Sequence, residues 1–284
     1  MAVAIVTDST SDLEPGEPRS EGIAVVPLYV VFGDRSYKDR VELSREEFYR
    51  KLKSESVLPS TSQPSAGMFE EAFAGPVEAG DEVLCIVISS HVSGTINAAM
   101  AAAQRFPGAR IHIYDSKTAA GGLGMMVQHA HAMAQRGATL DAIVASLDAW
   151  RERQHLYACV SDLSHLQRTG RIGSAQAAMG TMMKIVPVLA LDDGKVAAKV
   201  QVRTFARAQE TMLDLILKTA PPIHQAQFIV MHTNAPALAQ AAEVRLRERL
   251  GDERPARLEI WEAGPVIAAH GGPGAVGVFV AQGE

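Results

Sequence analysis

The stretch Val83-Leu84-Cys85-Ile86-Val87-Ile88-Ser89-Ser90-His91-Val92-Ser93-Gly94-Thr95-Ile96-Asn97-Ala98-Ala99-Met100-Ala101-Ala102-Ala103 opens on an unbroken apolar run, passes through a polar segment and ends rich in alanine. A short apolar run without polar alternation reads as a strand covered on both faces. The segment after it reads as a helix over Ser93–Phe106. A buried strand feeding a helix through a polar loop is half of a β-α-β unit, the building block of a parallel sheet. Working outward, Val3–Thr7, Ile23–Phe32 and Arg110–Asp115 read as further strands. Ser44–Ser54, Pro64–Ala74, Ala119–Arg136 and Leu140–Arg153 read as helices. The alternation implies parallel strands joined by right-handed crossovers. Ser44-Arg45-Glu46-Glu47 has the letters of a capping box, and Gly137-Ala138-Thr139 ends one helix and caps the next.

Beyond about residue 155 the rhythm changes. Tyr157–Ser161 reads as a strand, and Lys184–Leu191 and Lys195–Val202 flank Asp192-Asp193-Gly194, a hairpin signal. Helix Ala206–Lys218, strand Gln225–His232, helix Pro236–Leu250, strand Arg257–Glu262 and strand Ala275–Val280 complete the chain. Hairpins mixed with crossovers predict a mixed sheet. The expectation is two domains, 1–155 and 156–284.

The composition fits such a protein: 284 residues, 47% hydrophobic, 5% aromatic, 21% charged, formal net charge -5. High apolar content with low net charge argues against disorder, and mild acidity argues against a nucleic-acid partner. Two cysteines, Cys85 and Cys159, sit in apolar runs and read as buried thiols. No apolar run is long enough to span a membrane and the first residues lack the features of a signal peptide, so a cytoplasmic protein is expected.

Several motifs are weaker than their letters. Gly272-Pro273-Gly274-Ala275-Val276-Gly277 matches G-x-G-x-x-G, but it runs straight into Val278-Phe279-Val280 with no room for the helix a dinucleotide fingerprint needs. Its glycines read as aids to a tight turn. Gly121-Gly122-Leu123-Gly124 lies inside a helical pattern and reads as close helix-to-sheet packing. No Walker A, H-E-x-x-H, C-x-x-C or EF-hand pattern occurs, and His129 and His131 point to different helix faces, so neither cofactor nor metal is expected.

What remains is a set of hydroxyl-rich loops after the strands: Asp8-Ser9-Thr10-Ser11-Asp12, Ser89 to Thr95, and Asp115-Ser116-Lys117-Thr118. Thr61-Ser62-Gln63-Pro64-Ser65 reads as one more helix start, with Thr61 or Ser62 as its cap. Strand carboxyl ends are where open α/β sheets bind ligands, and helix N-termini favour anions. In the second half, Arg168-Thr169-Gly170-Arg171-Ile172-Gly173 places two arginines near an expected helix start, and His270 falls in a glycine-rich turn.

With these motifs in this order, the chain resembles the DegV family of bacterial fatty-acid-binding proteins essentially end to end. The resemblance is carried by Thr7-Asp8-Ser9-Thr10-Ser11-Asp12-Leu13, Val26-Pro27-Leu28, Thr61 to Ser65, Ile88 to Thr95, Tyr114-Asp115-Ser116-Lys117, Gly170-Arg171-Ile172-Gly173, Asp193-Gly194-Lys195, Val202-Arg203-Thr204, Gly264-Pro265, His270 and Gly272-Pro273-Gly274. It implies an N-terminal three-layer α/β/α domain with a parallel sheet and a C-terminal two-layer α/β domain with a mixed sheet. It further implies one long-chain fatty acid held between them, its carboxylate bound by Thr61, Ser93, the Gly94 N–H and His270. Ser62, Thr95, Asn97 and Arg171 would make secondary head-group or partner contacts. Carriers of this type hand the acid to a separate fatty acid kinase for phospholipid synthesis, which implies a carrier without catalysis of its own; a monomer is expected. The chain departs from the family at Val186, where a lysine is frequent; the nearest lysine is Lys184.

Two other readings of the residues compete. Ser93 as nucleophile with His270 as base would make a serine hydrolase or acyltransferase, but the G-x-S-x-G elbow and a third orienting acid are missing. A phosphotransferase subunit related to dihydroxyacetone kinases would need a nucleotide loop that the sequence lacks. The aliphatic residues and eleven methionines could line an acyl tunnel as well as an ordinary core.

Overall fold

The computed structural model describes residues 2–14, 16–55, 57–179 and 185–283. The chain divides into two compact units, Met1–Arg151 with Gly264–Val266, and Glu152–Ala263 with Ile267–Glu284.

In the first unit the elements are β1 (Val3–Asp8), β2 (Ile23–Val26), β3 (Tyr29–Phe32), β4 (Arg35–Lys38), α1 (Arg45–Ser54), β5 (Ser60–Ser62), α2 (Ala66–Glu78), β6 (Glu82–Val87), α3 (Thr95–Ala103), β7 (Ile111–Asp115), α4 (Gly121–Gln135) and α5 (Leu140–Glu152). Four strands form a parallel sheet in the order β2-β1-β6-β7. Val83, Cys85 and Val87 of β6 share a core with Phe69 and Phe73 of α2 and Ala98, Ala99 and Ala102 of α3. Leu84 and Ile86 point the other way and are equally buried, and α4 packs against β1 and β6. The strand is thus covered on both faces, as its unbroken apolar run predicts. The buried glycines of α4 fit the close packing read from Gly121-Gly122-Leu123-Gly124. Helix α1 begins with the predicted capping box: the Ser44 hydroxyl accepts from Glu47 N–H, and the Glu47 carboxylate accepts from Ser44 N–H.

The reading of Ile23–Phe32 as one strand is corrected. Pro27-Leu28 breaks it, sending β2 into the parallel sheet and β3 into a separate antiparallel sheet, β4-β3-β5. Pro27 has no N–H to give a ladder. The Leu28 N–H instead donates to Ser9 Oγ at 3.1 Å, and its carbonyl accepts from Asp39 N–H at 2.8 Å. Thr61 and Ser62 do not cap a helix either. They lie in β5, with Thr61 opposite Val30, and Ser65 is the N-cap of α2.

The second unit holds β8 (His155–Cys159), α6 (Ser164–Arg168), β9 (Val186–Asp192), β10 (Lys195–Val202), α7 (Phe205–Thr219), β11 (Ala226–His232), α8 (Pro236–Leu250), β12 (Arg257–Glu262), the greater part of α9 (Pro265–Gly271) and β13 (Val276–Gln282). Its mixed sheet runs β10-β9-β8-β13-β11-β12, antiparallel except for the last pair. Asp193 and Gly194, with φ of 45° and 79°, make the predicted tight turn between β9 and β10. Lys184 lies outside the described residues. Met212, Leu213 and Ile216 of α7 and Leu246 of α8 pack with Phe228, Val230 and Val278 of the sheet into a core of their own.

Candidate functional site

At the carboxyl end of the parallel sheet the strand order reverses between β1 and β6, where open α/β sheets form their ligand crevice. A carboxylate of the protein itself bridges this point. Asp8, the last residue of β1, accepts the N–H of Ile88 at 2.8 Å and the N–H and hydroxyl of Thr10 at 2.9 and 2.5 Å. Asp8 is fully buried, and this desolvation pushes its carboxyl above the ordinary value despite those donors. Beside it, Ser89 N–H donates to Thr118 O at 2.9 Å and Ser116 N–H to Val87 O at 3.1 Å, tying the loops after β6 and β7 together. On the outer side, Asp115 accepts the Ser90 and Lys117 N–H groups, both at 3.1 Å. Lys117 Nζ lies 3.1 Å from Asp115 and 3.2 Å from His91 Nε2.

Ser93 lies further along the same loop. Its Oγ is 2.9 Å from Thr95 Oγ1 and accepts the Thr95 N–H at 3.3 Å, so it helps to start α3. Thr95 is fully buried, Ser93 half-buried, and Asn97 exposed. Gly94 explains how Ser93 and the β5 segment meet. A Cβ built on it would stand 2.0 Å from Gln63 Oε1, so the Gln63 side chain lies in the space only glycine leaves. Gly94, and with it the loop that carries Ser93, thus meets Gln63, and half-buried Thr61 lies two residues before Gln63 in the chain. Gln63 is the residue that sequence reasoning missed, because an exposed glutamine in a loop carries no signal of its own. Gly94→Ala should leave the fold intact, since the obstacle is the end of a flexible side chain. It should displace Gln63 and weaken any ligand held there, read as an altered Kd at unchanged urea midpoint.

In the second unit His270 stands on α9, not in a turn. Pro265 in the first turn and Gly272 (φ 70°) just past the end are the start and stop signals that mark this helix in the sequence. Desolvation by burial, then the Arg171 charge and then the neighbouring His165 ring, lowers the His270 pKa from 6.5 to about 4. The imidazole is therefore neutral over the physiological range. Arg168 closes α6 and Arg171 lies between α6 and a 3-10 stretch beginning at Gly173. His165 Nδ1 is 3.4 Å from Ala269 O, and a Cβ on Gly272 would stand 2.8 Å from His165 Cδ2. Thr233 holds the following turn, its Oγ1 donating to Gly272 O at 2.6 Å and accepting from Ala275 N–H at 2.9 Å.

The pH dependence follows from the sign of the His270 shift. The unfolded chain binds a proton below 6.5 that the native state refuses until about 4. His270 thus favours the native state fully above pH 6.5 and loses that contribution as pH falls to 4, by up to about 3 kcal/mol. His270→Asn should flatten this limb in urea melts taken across that window. An acid limb of unchanged steepness would contradict the placement.

No group of three or more His, Cys, Asp or Glu side chains among the described residues is arranged for a metal ion. No described helix is long and apolar enough to cross a membrane. The fold and these loops define an α/β protein of two units, with hydroxyl-lined strand ends in one and a half-buried, neutral histidine in the other.

The chain belongs to the DegV family: the family model described as "Uncharacterised protein, DegV family" matches residues 2–283. A DegV domain-containing protein of Halalkalibacterium halodurans is 36% identical over 277 residues, covering 97% of each chain. Among solved structures, a fatty-acid-binding DegV family protein of Thermus thermophilus superposes with a TM-score of 0.90 at 34% identity, over 99% of this chain and 100% of that one. DegV of Bacillus subtilis, a fatty acid binding protein, gives 0.89 at 30% identity over 99% of each.

Proposed function

We propose that this protein binds one long-chain fatty acid and presents its carboxylate to a separate kinase, with no catalysis or cofactor of its own. The observation that carries the reading is the end-to-end likeness to fatty-acid-binding DegV proteins. The loop chemistry supports it. A carboxylate leaving water must be hydrogen-bonded or its burial is costly. The hydroxyls of Thr61 and Ser93, the Gly94 N–H at the start of α3 and a neutral His270 supply donors without an arginine fork. That choice suits a carrier, since a bidentate guanidinium pair would hold the acid harder. Ser62, Thr95 and Asn97 are supporting residues, and Arg171 is a contact for head group or kinase. The tail contributes roughly 0.8 kcal/mol per buried CH₂, so the chain supplies affinity and the head group supplies orientation. The carrier would work as a cytoplasmic monomer.

The hydrolase reading is weaker, because the Ser93 hydroxyl is engaged by Thr95 rather than by a base that could activate it. Native mass spectrometry of the purified protein, followed by lipid extraction, tests the proposal. A co-purifying acyl chain is expected. A protein that carries none and takes up no oleate when challenged would overturn it.

A further inference from the structure

The first unit contains a buried charged cluster that the proposed head-group site does not use. Asp12 and Asp39 are 1% and 2% exposed, and the Arg40 side chain only 5%. Arg40 Nη1 lies 4.0 Å from Asp12 Oδ1 and 3.8 Å from Glu14, and its Nε lies 3.9 Å from Asp39 Oδ2. Arg40 also donates to Ser9 O, Arg45 pairs with Glu14, and Ser9 Oγ donates to Asp39 Oδ2 at 2.7 Å. With Asp8 nearby, acids outnumber bases. Such a cluster is costly to bury and weak as a source of stability. Its contacts suggest what it does instead. Gly264 N–H donates to Asp12 Oδ1 at 2.8 Å, and the Val266 backbone dipole favours the charged form of Asp39. Gly264 fits closely: a Cβ there would stand 3.1 Å from Arg40 Nε and 3.2 Å from Asp12 Oδ1.

Gly264–Val266 belongs to the first unit although the chain on either side belongs to the second. These residues begin α9, which is seven residues long. So short a helix cannot hold itself, and its first-turn N–H groups have no partners within it. Pro265 has no N–H, and the Gly264 N–H just before it goes to the buried Asp12 carboxylate. At the other end, Gly272 N–H closes on Ala268 O at 2.9 Å and Thr233 holds Gly272. We infer that Asp12, Asp39 and Arg40 form a positioning network that clamps the first turn of α9 and so sets the place of His270, about 6 Å further along the helix. The inference rests on the reading of His270 as a head-group contact, but its main readout does not require a fatty acid.

The test is NMR titration of the full-length protein labelled with ¹³C-histidine, the His270 signal being assigned by its loss in His270→Asn. The parent protein is expected to show a His270 midpoint near 4. In Asp12→Ala the midpoint should rise by at least one pH unit, as a loosened α9 lets the ring meet water. The sign is diagnostic, because deleting a negative charge would by itself lower a histidine pKa. Asp12→Asn keeps an acceptor oxygen for Gly264 and should stay near the parent value. Gly264→Ala, which crowds Arg40 without removing a charge, should raise the midpoint as Asp12→Ala does and covers the case in which that variant does not fold. Oleate affinity should fall about tenfold in the two loosened variants and recover in Asp12→Asn. Folded variants with an unmoved His270 midpoint would overturn the network. Failure of the parent protein to bind oleate would instead overturn the fatty-acid reading, while the titration still judged the clamp.

Discussion

The double variant Thr61→Ala/Ser93→Ala should lose fatty-acid affinity by two orders of magnitude or more. Each hydroxyl is expected to give the carboxylate one charge-assisted hydrogen bond, worth roughly 1.5–3 kcal/mol. Since about 1.4 kcal/mol is a tenfold change, either single variant should weaken binding by about ten- to a hundredfold. The two losses need not add, because both hydroxyls address one carboxylate. The structural cost should be smaller and separable. Thr61 keeps its main-chain pairing with Val30 whatever its side chain. Ser93→Ala removes the acceptor of the Thr95 N–H, a loss of about 1 kcal/mol. Oleate Kd by titration calorimetry, beside urea unfolding of the same samples, separates the two. A double variant with parental Kd would remove these hydroxyls from the site.

The largest effect on stability is expected from Gly173→Ala. Gly173 has φ 55°, and a Cβ on it would stand 2.1 Å from the carbonyl oxygen of Val196. Unlike Gln63 beside Gly94, that obstacle is backbone. Val196 pairs with Leu191 in the β9–β10 ladder, so it cannot retreat without breaking the ladder. Left-handed strain costs about 1–3 kcal/mol and forced overpacking a similar amount, so a loss of about 3 kcal/mol or more is expected. Gly170→Ala is the control. Gly170 has φ 70° with nothing within 4 Å of its Cβ position, so it should show the strain alone, about 1 kcal/mol. Equal urea midpoints for the two variants would contradict the close approach of Gly173 to Val196.

The frame of the fold was legible where the apolar pattern was strong. Val83 to Ala103 reads correctly as strand, loop and helix, and Asp193-Gly194 as a hairpin turn. The misreadings share a cause: each depends on a partner distant in sequence. Ile23–Phe32 is apolar throughout, and only the bonds of Leu28 to Ser9 and Asp39 show where it breaks. Thr61 is a strand residue solely because Val30 lies opposite; alone, Ser-Thr-Ser has the letters of a cap. Asp39-Arg40 belongs to no motif, and its burial against Gly264 is invisible from either segment. The hydroxyl loops could be read because strand ends are predictable. Gln63 could not, since its place is set by the missing side chain of Gly94.

The two cysteines lend the protein an unplanned measuring device. Cys85 lies in β6, an interior strand of the first unit's parallel sheet, and Cys159 in β8, an interior strand of the second unit's mixed sheet. Both are buried and free, and burial pushes the Cys85 thiol well up and the Cys159 thiol to about 12. A thiol reagent needs an accessible thiolate, so each will react only when its own sheet opens. Alkylation followed by peptide mass spectrometry therefore times the opening of each half of the native chain separately, without any substitution.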